Sequence, residues 1–180
     1  MTYFINYVLA AMIAWYPISN HTFYEKVEIT TARYLSIATT IAQASIDPKR
    51  EPLFAGPDGR VKEALLLASV AASESGFRDD VDTCKRNGDG GLAFTLWQLH
   101  AKKDVVCANR EAGAGVALDI MRTSFTMCKS FELVDRMSGY TDGTCHANWQ
   151  RSRYKMVRAI NWYAAHKPES IVIEVEEQHE

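Results

Sequence analysis

Residues 64–100 read ALLLASVAASESGFRDDVDTCKRNGDGGLAFTLWQLH, and the reading of this stretch decides the fold. It opens as an apolar helix with neither Gly nor Pro before Gly76. At 3.6 residues per turn, Leu67, Val70, Ala71 and Glu74 fall on one stripe, the one that faces a core. A carboxylate has no packing reason to be on such a stripe. Burial disfavours the charged form of a carboxyl and raises its pKa, the condition for giving up a proton near neutral pH. Gly76 stops the helix, which puts Glu74 at the lip of a cleft rather than deep inside. The competing reading is a Glu at a helix end turned out to water, where a lone Glu commonly sits.

After the helix come a polar, Gly-rich segment at 86–91 and a compact apolar run at 92–99. A helix ending in Glu-Ser-Gly-Phe, then a loop, then Gly-x-x-x-x-x-Trp-Gln-Leu, resembles the soluble lytic transglycosylase and goose-type lysozyme superfamily. Glu74 and Ser75 match that family's catalytic Glu-Ser pair. Gly91, Gln98 and Leu99 match its Gly…Gln-Leu signature, with Thr95 where a Gly is usual. Further on, Tyr140 and Gly143 resemble the Tyr and Gly of an Ala-Tyr-Asn-x-Gly motif. Here Gly139 replaces the Ala and Thr141 the Asn. A Tyr before a Gly turn is also a common packing residue.

The resemblance spans roughly residues 61–165 and implies a mainly α, lysozyme-like domain with a glycan groove over Glu74. It implies cleavage of peptidoglycan between N-acetylmuramic acid and N-acetylglucosamine, by a lytic transglycosylase or a muramidase. Glu74 is then the general acid and base. Ser75 orients Glu74 or a substrate acetamido group, and Gln98 and Tyr140 line the sugar sites. No metal or organic cofactor is required, since acid–base chemistry on an oxocarbenium-like transition state suffices.

The 180 residues fit one domain with a proper core. A hydrophobic content of 47% with 23% charged residues is ordinary for a globular protein. The net charge of −2 argues against a general nucleic-acid binder. The chain divides into an apolar N-terminal segment (1–22), a helix with a Pro/Gly-rich loop (23–60), a catalytic core (61–168) and an acidic tail (169–180).

Residues 3–16 are almost wholly apolar, and no Lys or Arg precedes Lys26. Spanning a bilayer takes about 18 or more apolar residues, and a secretory signal wants a basic start and a small-x-small cleavage site. The segment is therefore expected as a helix over 2–15 that packs on the domain or on a partner, with membrane contact as the minor option, ended by Pro17. A second helix is expected over 23–46. Val27, Tyr34, Leu35, Ala38, Ile41, Ala42 and Ser45 should face inward, with Glu25, Lys26, Glu28 and Arg33 outside. Pro48, Pro52, Gly56, Pro57 and Gly59 make 47–59 a loop, pinned by Leu53 and Phe54. Asn109 suits the N-cap of a helix to about Cys128, with Ala117, Ile120, Met121, Phe125 and Cys128 inward. A short helix is expected over 131–138. A last helix over 149–165 should bury Met156, Val157, Ile160 and Tyr163 and turn Arg151, Arg153, Lys155 and Arg158 outward. The alternation at 170–180 has strand character and suits pairing with another chain.

Cys84, Cys107, Cys128 and Cys145 form no Cys-x-x-Cys pair and do not fit a zinc site. Two disulfides are expected, in any of three pairings that sequence does not choose between. The sequential one, Cys84–Cys107 with Cys128–Cys145, is preferred. Similar lysozyme-like proteins, where a Cys on the penultimate long helix accompanies a Tyr-x-x-Gly-x-Cys turn, favour the second bridge more than the first. Disulfides imply a working place outside a reducing cytoplasm, in a virion or the bacterial periplasm and cell wall.

Two rival classes stand beside the enzyme: a catalytically silent lysozyme-like component of a bacteriophage virion or tail, and a module that holds glycan without cutting it. The expected partners are glycan strands and, through the N-terminal helix and the tail, virion or tail proteins. A phage-borne, wall-degrading enzyme accommodates both sets of features. An open groove favours the enzyme, and a groove blocked by Trp97 or the N-terminal helix favours the structural role.

Overall fold

In the computed structural model, which describes residues 1–168, the chain is mainly helical. In order, the α-helices are α1 (Thr2–Trp15), α2 (Val27–Ile46), α3 (Gly59–Glu74), α4 (Asp79–Asp82), α5 (Lys103–Val106), α6 (Arg110–Met127), α7 (Ser138–Asp142) and α8 (Gln150–Ala165). The alternating segment at 170–180 lies outside the described residues.

Residues 61–72 are apolar on nearly every side, and a helix of that kind must be enclosed. It is: α3 runs through the middle, with α1, α2, α6 and α8 packed against it. Leu65, Leu66, Leu67, Val70 and Ala71 are all fully buried. Glu63 is buried on α3 too, and accepts the Leu53 N–H at 2.7 Å, which ties the preceding loop to the helix. Phe54 in that loop is buried edge-on against Phe125, centroids 5.6 Å apart. Gly76 has φ +58 and lies under the Tyr16 ring, where a Cβ would come within 2.6 Å, so only Gly fits the turn that ends α3.

The N-terminal helix belongs to this core. Phe4, Val8, Ala11 and Met12 share one face of α1, are buried, and pack against α2 and α3. Tyr16 is extended before Pro17, and α1 ends there as expected. Among the described residues, no helix is long and apolar enough to cross a membrane.

Five expectations need correction. The second helix starts at Val27, and Phe23 and Tyr24 lie outside it, 90% and 93% exposed. Its inward face is Tyr34, Ile37, Ala38, Ile41, Ala42 and Ser45, which leaves Val27 and Leu35 exposed. Arg33, assigned to solvent, is buried because it pairs with Glu25 and donates to the Phe77 carbonyl just past α3. The short helix expected over 131–138 is a 3-10 turn at Leu133–Asp135, and Gly139–Asp142 belong to α7 instead. On α8, Lys155 is buried rather than outward, while Val157, Ile160 and Tyr163 are only half-buried.

Other expectations hold. Asn109 caps α6 by accepting the Ala112 N–H at 2.7 Å. Both bridges of the sequential pairing, Cys84–Cys107 and Cys128–Cys145, are present. The first ties the segment after α4 to the end of α5, and the second ties the end of α6 to the turn after α7.

Candidate active-site cleft

An open cleft of about 590 Å³ lies where the end of α3, the 88–100 segment, α7 and α8 meet. Three of the four site residues expected from the sequence line it: Glu74, Gln98 and Tyr140. Each is brought there by a different piece of local structure.

Glu74 is the last residue of α3, so its backbone is anchored in the buried helix while its side chain reaches the lip, 29% exposed. Its partner is Lys155, whose ammonium forms an ion pair with Oε1. Lys155 is only 4% exposed and its Nζ lies 5.9 Å over the Tyr140 ring. Glu74 is thus not held in the apolar pocket that its stripe suggested; a buried ammonium faces it.

Gln98 sits in a small loop closed by two backbone bonds between Phe94 and Leu99, at 3.1 and 2.8 Å. Two residues of that loop, Thr95 (φ +66) and Gln98 (φ +49), are left-handed. A β-branched residue such as Thr95 at positive φ is a true outlier of the kind that collects at functional sites. Gln98 Nε2 donates to the Thr95 carbonyl at 3.0 Å. Its Oε1 lies where a Cβ on Gly88 would come within 1.9 Å, so Gly88 is what admits the side chain.

Tyr140, on α7, donates its hydroxyl to the Trp97 carbonyl at 2.7 Å, and its own N–H bonds to Ser124 Oγ at 3.0 Å. Burial, and then the neighbouring Glu74 charge, push the phenol pKa well above its ordinary value, so the ring remains a neutral donor. Trp97 itself is fully buried, with its indole N–H on the Leu67 carbonyl at 3.1 Å. It forms floor rather than plug. Among the described residues the lining comes from α3, α7, α8 and the 88–100 segment, and α1 does not enter the cleft.

Ser75 is the expected residue that the structure turns elsewhere. It is buried, donates to the Ala71 carbonyl at 2.8 Å and accepts the Phe77 N–H at 3.2 Å, so it shapes the turn after α3. Its neighbour Ser73 lines the cleft instead.

The acids after Glu74 separate by position. Asp79, Asp80 and Asp82 belong to α4, and they pair with Lys85, Arg78 and Arg110 respectively. None of these three lines the cleft, but Asp89 does, 2.9 Å from His100, which also lines it.

Lys155 and Arg158, expected on an outward basic face, line the cleft, and Tyr154 and His100 line it without having been expected there. On α8 the signal was the spacing of 151, 154, 155 and 158 on one helical face, which reads equally well as a solvated basic stripe, and His100 carried none. The cleft offers a carboxyl, an ammonium, an amide and a phenol, which together can bind and move protons on a hydroxylated ligand. Among the described residues no group of three or more His, Cys, Asp or Glu side chains is arranged to hold a metal. No family model, no curated protein and no solved structure matches the chain.

Proposed function

We propose that the protein is a peptidoglycan-cleaving glycosidase with a lysozyme-like fold, acting between N-acetylmuramic acid and N-acetylglucosamine. The observation that carries this reading is convergence. Glu74, Gln98 and Tyr140 were picked from three separate sequence blocks, and all three line one open cleft.

Glu74 works as acid and then as base. In the free protein its carboxylate faces the Lys155 ammonium. A glycan strand that fills the cleft expels water, and loss of water favours the neutral acid–amine pair over the ion pair. The proton then passes from Nζ to the Glu74 carboxyl and on to the glycosidic oxygen, and the bond from that oxygen to the muramic C1 breaks. The Glu74 carboxylate next takes the proton of the muramic C6 hydroxyl as its oxygen closes on C1. That step gives a 1,6-anhydro product, and the proton returns to Lys155. Gln98 and Tyr140 bind the sugars. The two disulfides suit an oxidising workplace, a phage virion or the periplasm and cell wall, with glycan strands as the partner.

A second reading, a catalytically silent lysozyme-like component of a phage virion or tail, draws on the same ion pair. A carboxylate already satisfied by a buried ammonium also fits a site that no longer cuts. Incubating the full chain with purified peptidoglycan separates the two. Release of soluble muropeptides supports the enzyme, and an intact sacculus supports the silent component.

A further inference from the structure

The wall that α8 presents to the cleft holds more than Lys155. Residues 151, 154, 155 and 158 recur at i, i+3, i+4 and i+7, share one face, and all line the cleft. From 151 to 158 this face runs about 10 Å along the helix axis. Tyr154 is 60% exposed on it.

Its ring is nonetheless held. The Arg158 guanidinium lies 5.1 Å from the Tyr154 centroid and 5.0 Å from that of Trp15, both within cation–π reach. That guanidinium is fixed in turn by the Ser69 carbonyl, by Ser69 Oγ at 3.0 Å and by Ser73 Oγ at 2.8 Å. Trp15 is braced edge-on by Trp162 at 5.8 Å. An aromatic ring is therefore fixed in place with much of its surface in water, at the mouth of an open cleft. Exposed apolar area of this kind is stabilised by a ligand with a flat, weakly polar face. A pyranose ring has such a face, made by its C–H groups, and carries its hydroxyl and acetamido groups at the edge.

We propose that Tyr154, seated on Arg158, is a sugar-stacking subsite on the α8 wall that binds a pyranose beside, not at, the bond Glu74 attacks. This rests on the glycan reading of the cleft and adds a residue to it. The ring rather than its hydroxyl makes the contact, so removing the ring should weaken glycan binding and removing the hydroxyl should not.

The test is calorimetric titration of the full chain with the hexamer of β-1,4-linked N-acetylglucosamine, in a Glu74→Gln background so that the ligand persists. Tyr154→Ala should weaken hexamer binding about tenfold. Tyr154→Phe, which keeps the ring, should bind the hexamer like the parent. Equal hexamer affinity in Tyr154→Ala and its parent overturns the subsite and leaves the glycan reading standing. If the parent does not bind the hexamer, the glycan reading itself fails and the subsite falls with it.

Discussion

Glu74 at the end of α3 and Lys155 within α8 form an ion pair across 81 residues of sequence, and only the glutamate is open to solvent to any extent. The asymmetry has a consequence. Removing the carboxylate leaves a buried ammonium without its counter-charge, whereas removing both groups leaves a neutral site.

Glu74→Gln alone is therefore expected to destabilise the fold, by about 1–3 kcal/mol once the partial exposure of the pair is discounted from the cost of breaking a buried one. Adding Lys155→Met should recover most of that loss. Denaturant unfolding of the two single variants and the double variant gives the coupling directly. Additive losses would mean that the pair contributes nothing to stability.

Glu63 offers a pH-dependent test that does not involve the cleft. Burial raises its pKa, opposed by the Leu53 N–H and by Arg122, Arg60 and Arg50, and the direction that wins is upward. The folded state thus holds this proton at a pH where the unfolded chain has released it. Stability falls as pH rises from the unfolded carboxyl pKa, about 4.3, toward the raised folded value. Glu63→Gln keeps an acceptor for the Leu53 N–H and has no charge to bury. Its melting temperature should gain on the parent between pH 4 and pH 7, and a constant difference across that range would contradict the assignment.

The Cys128–Cys145 bridge closes a loop with a sequence separation of 17. Loops of this length are stabilised by about 3 kcal/mol when closed. Reduction should lower the melting temperature by several degrees, and non-reducing peptide mapping should recover Cys84 linked to Cys107 and Cys128 linked to Cys145. Four free thiols in protein from its native location would remove the reason for an oxidising workplace.

The central helix and α6 were legible because their information is local. Apolar residues on every side, a Gly stop and an Asn cap are written within a few positions of where they act, as Gly76 and Asn109 show. Arg33 and Lys155 were misplaced because patterning sends every charge to solvent. Their burial depends on Glu25 and the Phe77 carbonyl in one case and on Glu74 in the other, and helical periodicity carries no record of such partners. The site residues Glu74, Gln98 and Tyr140 were legible through motif resemblance. Ser75 was not, because whether a hydroxyl just past a helix faces cleft or turn depends on the non-helical backbone at Ser75 itself and on the turn at Gly76.

Asp89 decides between two glycosidase chemistries. Hydrolysis by two carboxylates needs a second acid roughly 5–9.5 Å from the first, and Asp89 is the one acid of 79–89 that shares the cleft with Glu74. Its carboxylate is exposed and leans on His100, a loose mount for a group whose misplacement costs about 100-fold in rate. Glu74 is expected to act alone, giving muropeptides lighter by one water than hydrolytic products in mass spectra. Ordinary reducing ends, together with loss of activity in Asp89→Asn, would make the enzyme a two-carboxylate lysozyme.

The most direct measurement is muropeptide release from purified peptidoglycan by the full chain and by Glu74→Gln, with folding of both checked by circular dichroism. The wild-type chain should release soluble fragments. Glu74→Gln keeps the shape but has no proton to give, and should fall about 100-fold or more. A folded Glu74→Gln protein that keeps more than about a tenth of the rate would contradict the role of Glu74, since loss of a general acid costs more than that.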